Sequence, residues 1–534
     1  MSKRFYLTTA IDYVNGQPHL GHAYEKIITD VIARAHRSLG EEVFFLTGLD
    51  EHGQKVQQAA EAEGNSNQAY CDTLASVWRS FAAKLELTND DFVRTTEPRH
   101  KSVVQAFLAK LHAAGHFYKA AYRGFYSTKE ETFLTDKDRR PDGTWDPVWG
   151  QVIELEEENY YFRLGLHQQW LIDYLEANPD FIAPPGRRNE VLGFLKHDVL
   201  EDLCISRPAA RLSWGIPLPF DSDYVTYVWF DALANYVTVP AAHGDPVVVE
   251  AMPAEHRLPA TDLCLWPADL QIIGKDILKF HTVYWPIMLK AMELPLPRQV
   301  LVHGWWQKDG QKMSKSTGNV VDPVAVIEAW GLDAFRYYVV RELDIGPDGN
   351  WTDTGFQARY HAELANGLGN LVNRSLSMLK RYRGGVVPQT SHELAAAAQK
   401  VAQETEHCLR TNRLQAALQA IWSLVNHANQ YVDRTAPFKL AKDPNQAARL
   451  DEVLYNLAET CRVLAVLLWP FLPTTTTKIC SQLGLSGVPA TLAEARWGGL
   501  QSGHHIGEPM PLFPRKDTAQ PRPGIRSLSQ FGQS

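Results

Sequence analysis

Residues 5–50 read FYLTTAIDYVNGQPHLGHAYEKIITDVIARAHRSLGEEVFFLTGLD. Phe5 to Thr9 is aromatic and β-branched, the composition of a strand. Gly16 and Pro18 break the run, and a helical pattern follows from about Gly21 to Ser38. Glu42 to Thr47 is a second, mostly apolar strand, of the kind buried on both faces of a parallel sheet. Strand, helix and strand in that order imply a βαβ unit and the α/β class.

The same order returns downstream. Leu270 to Ile273 is a short apolar strand ending at Gly274, Asp276 to Met292 is helix-like, and Gln299 to Val302 is another strand. Two such halves build one doubly wound parallel sheet, a Rossmann-like domain with 1–120 as its first half and 226–316 as its second. Residues 121–225 are rich in turns and acid (Asp136 to Asp146, Glu154 to Glu158), so an inserted domain is expected there. A connecting segment spans 317–350. Beyond it Leu364, Leu368, Leu371 and Leu379 recur at helical spacing, and 351–510 reads as an all-α bundle. Residues 511–534 carry Pro511, Pro514, Pro521 and Pro523 and are expected to form a polar tail without regular structure.

Composition bounds the function. Of 534 residues, 45% are hydrophobic and 21% charged, which is globular and excludes general disorder. The net charge of −8 conceals a division. Residues 1–350 hold 34 Lys+Arg against 48 Asp+Glu, whereas 351–534 hold 19 against 13. The helical part alone is basic, so the two parts are expected to meet different partners. Six cysteines lie at 71, 204, 264, 408, 461 and 480. Their wide spacing excludes a CxxC zinc ribbon or redox pair and suits buried thiols in a reducing compartment. MSKRFYLTT has no apolar signal core, and Val463 to Pro473 is too short for a membrane span. A cytoplasmic protein without membrane contact is expected.

Two loops carry the chemistry. His19-Leu20-Gly21-His22 sits between the first strand and the first helix. Ligands of open α/β sheets bind at the carboxyl ends of the strands, and a helix N-terminus there favours phosphate. Two imidazoles can donate to phosphate oxygens while Gly21 leaves room for a flat base. Lys312-Met313-Ser314-Lys315-Ser316, after Asp309-Gly310, places two lysines and two hydroxyls on a polar loop suited to a triphosphate. Each motif alone could be an ordinary surface turn. The chain has no GxxxxGK[ST], so no P-loop competes for the phosphates.

Together, in this order and about 290 residues apart, HLGH and KMSKS resemble the two signatures of class I aminoacyl-tRNA synthetases. The likeness extends to the methionyl-tRNA synthetase family. It runs through the opening segment to GLDEHGQKVQ, and through YVWFDALANY (227–236), IIGKDILKFHTVYWP (272–286), VHGWWQKDGQKMSKSTGN (302–319) and GNLVNRSLSMLKR (369–381). The resemblance implies ATP-dependent ligation of methionine to tRNA(Met). It implies catalytic roles at His19, His22, Lys312 and Lys315, with Gly21, Gly274 and Asp276 also on ATP. Asp276 has a second reading, as a helix N-cap. Asp50 would hold the methionine ammonium group. Ala10, Ile11, Tyr13, Trp229, Ala232, Tyr236, Ile277, His281 and Trp285 would line its side chain, although Trp229 and Trp285 could equally be core aromatics. Mg²⁺ would accompany ATP, and the helical domain would bind the anticodon through Asn370, Arg374 and Phe438.

The chain departs from the family in two places. Zinc knuckles are frequent in the family's insertion, yet 121–165 contain no cysteine and no histidine. No structural zinc is expected, and Phe125, Tyr126, Trp145, Trp149, Tyr160 and Tyr161 are the candidate core instead. Phe438 stands where the family's anticodon-stacking tryptophan is usual, and a bundle-core role is its alternative. The chain ends without the family's dimerising tRNA-binding domain, so a monomer is expected. Other readings are a cysteinyl-type synthetase, which would need zinc-binding thiols, a catalytically inert tRNA binder, and a small-molecule adenylyltransferase, which has no need of a long basic helical domain.

Overall fold

The computed structural model describes residues 4–14, 16–127, 132–134, 136–313 and 319–516. The chain forms two compact units, one of 1–17, 44–80 and 89–302, the other of 18–43, 81–88 and 303–534.

The first unit is built on a seven-stranded sheet in the order Asp12–Tyr13, Val43–Asp50, Phe5–Thr9, Leu270–Gly274, Val300–His303, Ile182–Ala183, with Asp91–Arg94 also paired to Val43–Asp50. Neighbours run parallel where Thr9 faces Ile272, Tyr13 faces Asp50 and Gly48 faces Val93. The two predicted halves therefore do share one sheet. Gly48 is required by close approach: a Cβ there would lie 2.1 Å from the Val93 carbonyl oxygen. Ala10, Asp50 and Gly274 all fall at carboxyl ends of strands, where ligands of such sheets bind. One strand was not foreseen. Ile182–Ala183, within the predicted insertion, joins the main sheet beside Val300–Leu301. Two residues before a Pro-Pro pair carry no periodicity that could announce it.

The insertion also carries an antiparallel sheet in the order Thr132–Leu134, Phe117–Ser127, Val152–Phe162, Leu203–Cys204, and the helices Gln168–Ala177 and Pro185–His197. Its long hairpin pairs Phe117 with Phe162 through to Ser127 with Val152. Of the six aromatics expected as its core, Phe125, Trp145, Trp149, Tyr160 and Tyr161 are half-buried. Tyr126 is buried, Tyr160 packs edge-on to Phe220 at 5.2 Å, and Tyr161 stacks on Tyr118. At the far end Phe125 and Trp145 lie 5.1 Å apart, and the Arg139 guanidinium sits 4.5 and 4.2 Å from their rings. This is a cation–π clasp. Among the described residues no cluster of His, Cys, Asp or Glu is arranged to hold a metal ion.

The second unit holds the Leu20–Ser38 helix, a hairpin of Trp306–Lys308 and Gln311–Lys312, and the helices Asn370–Arg383, Ala395–Arg410, Leu414–Thr435, Ala447–Leu468 and Pro473–Gln482. Leu364, Leu368, Leu371 and Leu379 are all buried, as their spacing predicts. Val463 to Leu468 is buried throughout, which explains its uniformly apolar composition. No helix among the described residues is long and apolar enough to cross a membrane. The start of the tail has no helix or strand, as expected, but it is packed. Leu512 is buried, Phe513 packs edge-on to Tyr360, and the Tyr360 hydroxyl donates to the Pro514 carbonyl at 2.8 Å. Proline-rich composition removes helix and strand, but the Leu512-Phe513 pair still finds an apolar surface. Residues 517–534 lie outside the described residues.

Candidate functional site

In the first unit the residues that the resemblance assigns to methionine come from three places. Ala10, Ile11 and Tyr13 follow the first strand, and Asp50 ends the strand that pairs with Tyr13. The Val14 amide donates to the Asp50 carbonyl at 3.1 Å, and Asp50 is buried. Trp229 and Ala232 lie on the Val228–Leu233 helix, and Tyr236 on the next, Asn235–Ala242. Ile277, His281 and Trp285 follow the Leu270–Gly274 strand. Ala10, Tyr236 and Trp285 belong to one buried apolar cluster, against which Ile11 and Ile277 pack.

Hydrogen bonds define the polar part of this set. His281 Nδ1 lies 3.0 Å from the Ile277 carbonyl oxygen and therefore donates to it. Its Nε2 is hydrogen-bonded to the Tyr236 hydroxyl at 2.8 Å. The ring is thus fixed through both nitrogens, one on a backbone carbonyl and one on a phenol. Trp285 is fully buried, 5.8 Å from Tyr236, and its indole N–H finds no partner among the described residues. Trp229 is half-buried and stacks on Phe280 at 3.7 Å, so it is not an ordinary core residue. Gly274 ends its strand buried, whereas Asp276 is exposed. The cap of the short helix after it is Gly274 and not Asp276.

In the second unit, HLGH is the N-terminus of Leu20–Ser38. His19 is the N-cap: its Nδ1 accepts from the Gly21 amide at 3.1 Å, and His22 Nδ1 accepts from the His19 amide at 3.2 Å. The rings stack at 3.7 Å. With both Nδ1 atoms accepting, each neutral ring carries its proton on Nε2, so both become donors suited to phosphate. A Cβ at Gly21 would lie 3.0 Å from His19 Cε1, which crowds this cap. Farther along the helix Glu25 is buried against Lys26 at 3.1 Å and His303 Nε2 at 3.2 Å. Burial would raise the Glu25 carboxyl, but Lys26 and His303 outweigh it and hold it below its usual range. The Glu25–His303 pair ties the HLGH helix to the stem of the hairpin that leads into KMSKS. Asp309 and Gly310, both at positive φ, close that hairpin. Lys312 lies on its second strand, but its side chain and all of Ser314 to Gly318, Lys315 included, lie outside the described residues.

On the bundle, Asn370 and Arg374 are half-buried, one turn apart on a single helix. Arg374 pairs with Asp433 at 3.3 Å. Phe438 is 44% exposed, which removes its bundle-core alternative.

The comparisons agree with this geometry. The profile of "tRNA synthetases class I (M)" matches residues 5–142 and 147–376, and that of "Anticodon binding domain of methionyl tRNA ligase" matches 383–522. The chain is 42% identical to the methionine–tRNA ligase of Bacillus subtilis, over 97% of this chain and 78% of that one. It is 43% identical to that of Rhizobium meliloti, over 96% and 98%. The structure of Mycobacterium tuberculosis methionyl-tRNA synthetase in complex with methionyl-adenylate superposes with a TM-score of 0.88 at 39% identity, covering 96% of this chain and all of that one. The chain belongs to the methionyl-tRNA synthetase family. As a class I synthetase it is an ATP-dependent ligase of methionine and tRNA.

Within this family member, sequence reasoning passed over several buried polar groups that border the methionine set. Glu51 binds Arg94 at 2.7 Å and the Thr96 hydroxyl. Burial raises its carboxyl despite both contacts. His52 and His100 both reach Asp231, each at 2.6 Å. His52 and Asp231 stand inside the quoted stretches DEHG and YVWFDALANY, but nothing in their spacing could pair positions 52, 100 and 231.

Proposed function

We propose that the chain joins methionine to the 3′ end of tRNA(Met) in two steps. In the first, a methionine carboxylate oxygen attacks the α-phosphorus of ATP in line. The bond to the bridging oxygen breaks, pyrophosphate leaves, and methionyl-adenylate remains. The nucleophile is already ionised, so catalysis is positioning and charge stabilisation.

Asp50 accepts from the methionine ammonium group. Ala10, Ile11, Tyr13, Trp229, Ala232, Tyr236, Ile277, His281 and Trp285 surround the thioether, an unbranched and polarizable chain suited to aromatic walls. His19 and His22 donate through Nε2 to the phosphates, and Lys312 and Lys315 balance the charge that develops there. Gly21 and Gly274 admit the adenosine, and Asp276 accepts from its ribose hydroxyls. Mg²⁺ would accompany ATP and supply positive charge at its phosphates, with no residue of the chain assigned to hold it. In the second step the ribose hydroxyl at the tRNA 3′ end attacks the methionyl carbonyl and AMP leaves. No side chain is assigned as general base for it. Asn370, Arg374 and Phe438 read the anticodon by hydrogen bonding and stacking. The enzyme works as a cytoplasmic monomer.

The observation that carries the reading is the pairing of one buried carboxylate, Asp50, with an aromatic set whose histidine is hydrogen-bonded through both ring nitrogens. ATP–pyrophosphate exchange across a panel of amino acids tests it. Methionine alone is expected to stimulate exchange. Stimulation by cysteine and not methionine, or by no amino acid, contradicts the assignment.

A further inference from the structure

Asp231 is fully buried, and both of its oxygens are taken by imidazoles from distant parts of the chain. His52 Nδ1 donates to Oδ2 and His100 Nε2 donates to Oδ1, each at 2.6 Å. His52 and His100 are themselves buried. Burial would raise the Asp231 carboxyl, but the two histidines outweigh it and hold it at about 2. A carboxylate this deep is tolerated only where charge and hydrogen bonds compensate it.

A His–Asp–His array resembles a proton relay, but its far end is closed. His100 Nδ1 meets Thr238 Oγ1 at 2.9 Å, and that hydroxyl donates to the Ala234 carbonyl at 3.0 Å. No nucleophile is activated, and the attacking carboxylate of methionine needs none. The placement of the three residues points elsewhere. His52 is two residues beyond Asp50. The intervening Glu51 is fixed by Arg94 and Thr96 through its side chain, by Thr95 Oγ1 through its amide at 2.9 Å, and by the Trp214 indole through its carbonyl at 2.6 Å. Asp231 stands on the six-residue helix Val228–Leu233, two residues after Trp229 and one before Ala232. So short a helix has few bonds of its own to set its rotation.

We propose that Asp231, with His52 and His100, is a positioning residue for methionine activation, tying the turn that carries Asp50 to the helix that carries Trp229 and Ala232. This rests on the assignment of Asp50 and Trp229 to methionine. The array sets the span between the carboxylate that takes the ammonium group and the aromatic wall that takes the thioether. Substrate positioning tolerates little slack: a displacement of about 1 Å can cost roughly a hundredfold.

The test is exchange kinetics on the full-length enzyme, with active sites counted by adenylate burst. Asp231→Asn replaces an acceptor by an amide that can set an N–H against an imidazole N–H. It is expected to raise the methionine KM about tenfold or more, with the ATP KM and kcat per active site held within about twofold. His52→Leu, at the edge of the array, is expected to do the same. His52→Asn keeps an N–H donor near the position of Nδ1 and is expected to stay within about twofold of the unsubstituted enzyme. A merely structural role would lower the active fraction or the melting temperature and leave the methionine KM alone. That result in both Asp231→Asn and His52→Leu overturns the proposal. Asp50→Asn separates the two layers. If it leaves the methionine KM unchanged, the assignment of Asp50 fails and the proposal falls with it. If it raises that KM while neither Asp231→Asn nor His52→Leu does, the proposal alone fails.

Discussion

The residues proposed for methionine and those proposed for the anticodon hold their polar groups in opposite ways. In the unit that holds Asp50, several buried side chains are already bound: Glu51 to Arg94, His281 to Tyr236, Asp231 to two imidazoles. On the bundle, Phe438 is open to solvent and Arg374 rests in a partly exposed ion pair with Asp433. A small, mostly apolar ligand gains affinity from walls set in advance, because little binding energy is then lost to ordering them. An RNA loop must be met on a surface, by side chains still able to stack and donate. The charge division fits. The acidic part needs only local cations for ATP, and the basic excess lies in the part that would meet the anticodon arm.

The comparison yields graded predictions. Asp50→Ala is expected to have the largest effect, leaving the methionine ammonium unpaired at a loss of about 2–5 kcal/mol. Exchange kcat/KM for methionine should fall by roughly two to three orders of magnitude. A change below about threefold would remove Asp50 from the site.

Acid should act on the buried side next. Asp231 is held at about 2 in the folded chain, against about 3.9 for an unfolded aspartate. Because its folded value is depressed, its contribution is fully present above about pH 4 and is lost as pH falls toward 2. Its size is about 2–3 kcal/mol. The stability gap between the unsubstituted enzyme and Asp231→Asn, from urea unfolding, should narrow between pH 5 and pH 2. A gap independent of pH would contradict the ionised array.

The exposed face should give a smaller and separable effect. Arg374→Ala is expected to lower aminoacylation by about 1–3 kcal/mol and to leave exchange unchanged. A parallel fall in exchange would refute the anticodon assignment. The smallest effect is expected in the inserted hairpin. Arg139→Ala, which opens the clasp on Phe125 and Trp145, should cost about 1 kcal/mol or less, and chelators should leave the melting temperature of the unsubstituted enzyme unchanged.

Much of this was legible in residue order. Phe5 to Thr9 and Glu42 to Thr47 announced buried strands because parallel strands covered on both faces read as apolar runs, and the HLGH helix begins at Leu20, one position from where its pattern does. The bundle followed from its leucine spacing. Local patterning could not show Ile182–Ala183, too short to have a period, or the packing of Leu512 and Phe513, hidden by surrounding prolines. It could not show the Asp231 array either. Periodicity reports which face of an element is apolar, not which polar side chains meet across 179 positions of chain. The placement of Phe438 needed the structure for another reason, since only its exposure decides between core and surface.

One measurement tests the account most directly. The purified chain is incubated with ATP, methionine and a total tRNA pool, and the tRNAs bearing an aminoacyl group at the 3′ end are identified. The account predicts methionine on tRNA(Met) and no charging of other tRNAs. Charging of another tRNA, or methionine-dependent exchange with no charged tRNA, would contradict it.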